Sequence, residues 1–173
     1  LNKTMRKELW EWMKAIVAAC LIAFLIHHFI FATSIVEGTS MEPTLEDGER
    51  VIYNKFVYQW GDPERGDIVI IQHPNKNYVK RVIGEPGDSI QVKGHELYIN
   101  DRVQSEDYLS NEAMLGTEDF TVISVPANHY FVMGDNRGIS KDSRNGLGFI
   151  NREDIVGKSA VIIYPFDEFS FTH

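Results

Sequence analysis

The chain has one cysteine, Cys20, so it can form no internal disulfide and no cysteine-ligated zinc site. Positive charge is also short. Seventeen lysines and arginines face 25 aspartates and glutamates, a formal net charge of -8. That balance argues against a nucleic-acid partner, which needs a basic face. Histidine is scattered: of the six, only His27 and His28 are close in sequence, and neighbours do not share a helix face. No metal ion or other cofactor is expected. Internal repeats and low-complexity segments are absent. At 173 residues the chain is long enough for one domain with a real core.

What is present divides unevenly. Residues 1–14 carry Lys3, Arg6, Lys7 and Lys14 against Glu8 and Glu11. Residues 15–32, AIVAACLIAFLIHHFIFA, carry no formal charge. As a helix this run measures about 27 Å, near the ~30 Å of bilayer hydrocarbon. Trp10 and Trp12 precede it, where an interfacial aromatic belt would sit. The expectation is a cytoplasmic basic N-terminus (1–14), a transmembrane anchor (15–32) and an extracytoplasmic domain (33–173), oriented by the positive-inside rule. His27 and His28, near the far end, fall at headgroup depth. A cleaved signal peptide is the competing reading, with small residues at Ala32, Thr33 and Ser34, but the run exceeds the usual apolar length. A buried helix of a soluble domain should show a polar stripe, and none appears before His27.

From residue 34 on the texture is β. RVIYN, DIVIIQH, YVKRVIG, SIQV, ELYIN, FTVISV, HYFVMG and SAVIIYP are short and rich in β-branched and aromatic residues. Glu85-Pro86-Gly87-Asp88 fits a type II turn, while Lys93-Gly94-His95 and Asn100-Asp101 fit hairpin turns. The fold class is mainly β: an antiparallel sheet or barrel-like catalytic domain behind one transmembrane helix. Residues 104–119 read as an exposed loop or insertion.

Three stretches carry candidate chemistry. In VEGTSMEPTL, Ser40 sits at a bend between Gly38 and Pro43, as a turn former or as an accessible nucleophile. A nucleophilic serine needs a base. His73, His95 and His129 lie on or beside strands without the local signature of a triad. Lys80 lies mid-strand beside Arg81, so by alternation one of the two cations must share a face with apolar residues. It is either a solvated strand lysine or a base made neutral by burial, with Arg81 on the opposite face adding a like-charge push. GDNRGISKDSR, residues 134–144, is either an Asx-rich surface turn or the surround of a site.

Taken together, the anchor followed in order by SMEPTL, RGDIVI, KRVIGEPGD and GDNRGISKDSR resembles the type I signal peptidases, the membrane-anchored Ser/Lys proteases of bacterial secretion. The resemblance implies a mostly antiparallel β-domain with Ser40 as nucleophile and Lys80 as general base. It implies that Ser140 hydrogen-bonds and orients the lysine amine. Asp142 and Arg144 would hold the shape of the site, in the box that Asp135 begins. The Ser40 backbone N–H would be one oxyanion donor. Some members carry a serine two residues before the nucleophile as the second donor. Here that position is Gly38, which leaves Thr39, another N–H or a water. The implied partners are secretory preproteins through their signal peptides, the lipid bilayer, and the neighbourhood of the export translocon. The implied location is the bacterial cell membrane, crossed once. A substrate strand would add to a sheet edge, with small pockets giving an Ala-x-Ala preference and Ile35 and Val36 as lining.

Two other classes compete. A self-cleaving repressor-type Ser/Lys protease needs a DNA-binding helical domain in place of the anchor. A silent membrane-anchored binding module would make Ser40, Lys80 and Ser140 coincidental. A sortase-like enzyme is set aside because Cys20 lies within the expected span.

Overall fold

Short β-branched runs broken by Gly, Asn and Asp become strands in the structure, a computed structural model that describes residues 3–74, 76–165 and 170–172. Helix α1 spans Lys3–Ile30. Strands β1 (Phe31–Ile35), β2 (Arg50–Asn54), β3 (Ile68–Gln72) and β4 (Asn77–Gly84) follow, with the short helix α2 (Val57–Trp60) between β2 and β3. Next come β5 (Ser89–Lys93), β6 (Glu96–Ile99), β7 (Arg102–Val103), α3 (Asn111–Leu115), β8 (Phe120–Ser124) and β9 (His129–Met133). The chain closes with β10 (Ile150–Asn151), a 3-10 turn, β11 (Ile155–Tyr164) and β12 (Ser170–Phe171).

The strands form two antiparallel sheets. The larger has the order β1-β2-β11-β3-β4-β9-β10, with β12 added on β11, and the smaller has the order β7-β6-β5-β8. The turns behave as their residues require. Gly87 takes φ 90° and Asp88 N–H closes on Glu85 O at 3.0 Å. Gly94 with His95, and Asn100 with Asp101, take positive φ in the two hairpins.

One expectation changes here. Helix α1 ends at Ile30, and Phe31 and Ala32 pair with Asn54 and Tyr53 in β1. The last two residues of the expected span therefore belong to the sheet. Among the described residues, no helix is long and apolar enough to cross a membrane. The expected span runs on into 25–29, whose side chains, His27 and His28 included, lie outside the described residues. Where α1 is described its apolar side chains are uncovered, Leu9, Trp10, Trp12, Ile16, Val17, Leu21, Ile22 and Phe24 all being exposed.

Strand β4 is the strand that matters most for the site. It lies between β3 and β9, and burial covers it from Val79 to Gly84. Val69 and Lys80 are paired, as are Ile68 and Arg81. Strand β9 pairs with β4 only from Arg81 onward. Lys80 thus stands where β9 has ended and the 134–144 loop takes over.

Candidate active site

Ser40 lies five residues beyond Ile35, the end of β1. Gly38 turns the chain with φ 84°, and its N–H donates to Asp47 Oδ1 at 2.7 Å. Val36 on one side and Met41 and Leu45 on the other are buried in one core cluster, so the loop is pinned on both sides of the serine. The 134–144 loop grips the same backbone. Asn136 N–H donates to Ser40 O at 3.1 Å, and Asn136 Nδ2 donates to Thr39 O at 3.1 Å.

The Lys80 side chain, 2% exposed, brings its amine to the hydroxyl. Lys80 Nζ donates to Ser40 Oγ at 2.6 Å and to Val79 O at 2.9 Å. Burial lowers its pKa to about 8 against the opposing pull of Asp142 and Asp135, while Lys76 and Arg144 push in the same direction as burial. The push expected from Arg81 is not among these causes. Arg81 is itself buried and tied to Asp135, Nε to Oδ1 at 3.0 Å and NH2 to Oδ2 at 2.7 Å. Thr44 Oγ1 also donates to Asp135 Oδ2, at 2.6 Å.

Asp142 is held by Arg144 through Nε to Oδ1 at 2.9 Å and NH2 to Oδ2 at 2.7 Å, and by Gly134 N–H at 3.1 Å. Burial alone would raise its carboxyl pKa. The Arg144 and Gly134 bonds outweigh that and hold it below the ordinary value. Arg144 NH2 also donates to Arg137 O at 2.8 Å, closing the loop on itself.

Ser140 departs from expectation. It is buried, yet its hydroxyl makes no hydrogen bond of good geometry among the described residues and does not bond the Lys80 amine. It does lie near enough to Asp142 to help lower that carboxyl. Its neighbour is Gly134. A Cβ placed there would stand 2.2 Å from Ser140 Oγ and 2.3 Å from Ser40 O. The glycine is what lets the two segments meet.

Of the lining residues, Ile35 is exposed and borders a cavity of about 540 Å³ with Thr33, Ser34, Glu37, Arg50, Lys76 and Asn77. Val36, the residue after β1, is 2% exposed and faces the core, because the alternation of β1 carried one residue further turns it inward. Thr39 is exposed. The three histidines have other surroundings. His73 rests against Tyr78, His95 Nδ1 pairs with Thr117 O, and His129 Nδ1 pairs with Ala127 O.

Sequence reasoning missed Thr44 and the ion pairing of Arg81, and gave Gly134 and Asn136, inside the 134–144 stretch, no role of their own. The signal for Arg81 was present: a cation buried in a strand needs an anion, and Asp135 opened the box already singled out.

Residues 9–164 match the family described as signal peptidase, peptidase S26. Signal peptidase I of Bacillus licheniformis is 49% identical over 172 residues, covering 94% of this chain and 92% of that protein. Signal peptidase I T of Bacillus subtilis strain 168 is 52% identical over 167 residues, 91% of this chain and 86% of that one. The crystal structure of a signal peptidase I from Enterococcus faecalis V583 aligns with TM-score 0.50 at 34% identity, over 57% of this chain and 97% of that one. Fold and likeness together define a serine peptidase of mainly β architecture. The chain belongs to the signal peptidase family, peptidase S26.

Proposed function

We propose that the chain removes N-terminal signal peptides from exported preproteins, with Ser40 as nucleophile and Lys80 as general base. The observation that carries the reading is the buried Lys80 amine, 2.6 Å from Ser40 Oγ with a pKa lowered to about 8. A lysine near its ordinary value would be charged and unable to accept a proton at neutral pH. Once neutral, the amine takes the Ser40 proton as the oxygen attacks the scissile carbonyl. The new ammonium returns that proton to the leaving amine, and the mature N-terminus departs. The neutral amine then activates water to release the signal peptide from the acyl-serine.

The Ser40 N–H, which meets no acceptor among the described residues, is the first oxyanion donor. The exposed Thr39 is the candidate for the second. Asp142, Arg144 and Asp135 hold the surround. Ser140, with its unsatisfied buried hydroxyl, is the group that turns to the amine during turnover.

The substrate is read as a strand between two sheet edges. Strand β1 is an end strand, and β4 lacks a β9 partner over Asn77–Lys80. The cavity lined by Thr33, Ser34, Ile35 and Asn77 lies between these edges. A chain laid there ends at Ser40, with small pockets for the Ala-x-Ala residues. The uncovered apolar side chains of α1 and the basic start support a single membrane anchor, with the domain outside and near the translocon.

The test is incubation of wild type and Ser40→Ala with a preprotein, followed by sequencing of the new N-terminus. Cleavage after an Ala-x-Ala site by wild type alone supports the reading. Equal cleavage by Ser40→Ala overturns it.

A further inference from the structure

We infer that Glu106 and Tyr108, on the segment between β7 and α3, are positioning residues for the Ser40–Lys80 pair. The inference rests on the Ser/Lys reading above. This segment was expected to be an exposed loop, and much of it is exposed. Glu106 and Leu109 are nevertheless buried, at 9% each. Burial of a carboxylate needs a partner, and Glu106 has two.

Arg137 donates NH1 to Glu106 Oε2 at 3.2 Å and NH2 to Oε1 at 2.5 Å. Tyr108 OH donates to Glu106 Oε1 at 2.7 Å and accepts from Arg137 NH2 at 3.2 Å. The Tyr108 ring then packs under the other buried arginine, with Arg81 Cζ 4.0 Å from its centroid. Two residues of one outlying segment thus fix the two buried arginines, Arg81 and Arg137.

Each arginine leads to the reacting pair by a short covalent or hydrogen-bonded route. Arg81 follows Lys80 on β4 and grips Asp135. Arg137 follows Asn136, whose N–H holds Ser40 O, and its own Nε donates to Gly134 O at 3.1 Å. Among the described residues no hydrogen bond joins Glu106 or Tyr108 to Ser40 or Lys80. Glu106 and Tyr108 act by keeping β4 and the 134–144 loop in register, so that the amine stays dry and aligned with the hydroxyl. A bidentate pair sharing a phenol and a ring over a guanidinium are directional contacts, and general packing would need neither.

The full chain in detergent micelles is compared with Tyr108→Phe, Tyr108→Leu and Glu106→Gln. The primary readout is the pKa of Lys80, followed by carbon-13 NMR at its Cε, which needs no turnover. The second is the kcat and KM of preprotein cleavage. Tyr108→Phe keeps the ring under Arg81 but loses the phenol shared by Glu106 and Arg137, and is expected to lose less kcat than Tyr108→Leu. Tyr108→Leu and Glu106→Gln are expected to lose about 10- to 100-fold in kcat with KM little changed. In both, the Lys80 pKa should move upward as water reaches the amine. A lowered melting temperature with Lys80 pKa and kcat both unchanged would show a merely structural role and overturn the inference. If wild-type Lys80 itself titrates near the ordinary lysine value, the Ser/Lys reading fails instead. Should Tyr108→Leu not fold, Glu106→Gln decides by the same two readouts.

Discussion

Arg81 and Asp135 form a two-pronged ion pair with both side chains almost fully buried, at 2% and 0% exposure. The pair joins β4 to the loop that follows β9. Asp135→Asn leaves the Arg81 charge buried without its counter-ion, which costs about 3–5 kcal/mol. Urea unfolding measures that loss. Asp135 also raises the Lys80 pKa. Any folded Asp135→Asn should therefore show its activity limb at lower pH than wild type.

Gly134→Ala tests the close approach of the two serine segments. The clash with Ser140 Oγ could be relieved by rotation, but Ser40 O is backbone and cannot swing away. Overpacking of this kind costs about 1–3 kcal/mol. A misplaced Ser40 should lower kcat more than tenfold, on the order of 1.4 kcal/mol or more. Thermal unfolding and single-turnover cleavage report the two effects separately.

Ser140→Ala removes a buried hydroxyl that makes no good hydrogen bond. Stability should stay level or rise slightly, since a buried unsatisfied group is lost. If Ser140 orients the amine during turnover, kcat should fall roughly tenfold to a thousandfold, ~1.4–4 kcal/mol of transition-state stabilisation. An unchanged kcat would remove Ser140 from the site.

Lys80 should weaken the fold at neutral pH. Its folded pKa of about 8 lies below the ordinary 10.5, so the unfolded chain binds the proton more tightly. At 1.36 kcal/mol per pH unit the gap is worth about 3 kcal/mol. The penalty is fully present below pH 8. It fades as pH rises towards 10.5, where both states are losing the proton. Lys80→Met should therefore be more stable than wild type at pH 7, and the difference should shrink between pH 8 and 10. Urea midpoints across that range check the sign.

Most strands were legible because their signals are local. RVIYN is β2 at both ends, and the Pro86-Gly87 and Asn100-Asp101 turns need only their own residues. The helix end was misjudged by two residues because Phe31 and Ala32 suit a membrane core and a strand equally well. The site was legible by resemblance and much less so by physics. Burial of Lys80 depends on the 134–144 loop arriving 54 residues later, as the Arg81–Asp135 bond records. The tie from Glu106 to Arg137 spans 31 residues and leaves no periodic trace. Such pairings are set by tertiary packing, and an acidic loop reads as solvated until its partner is known.

The central claim is that a neutral Lys80 is the base, and the most direct measurement is the pH dependence of preprotein cleavage by wild type and Lys80→Arg. Wild type should show one limb rising with pH, with a midpoint near the amine pKa of about 8. Lys80→Arg should be inactive from pH 6 to 10 although it keeps the charge, because a guanidinium does not give up its proton in that range. Cleavage by Lys80→Arg at a rate near that of wild type would contradict the account and pass the role of base to another group.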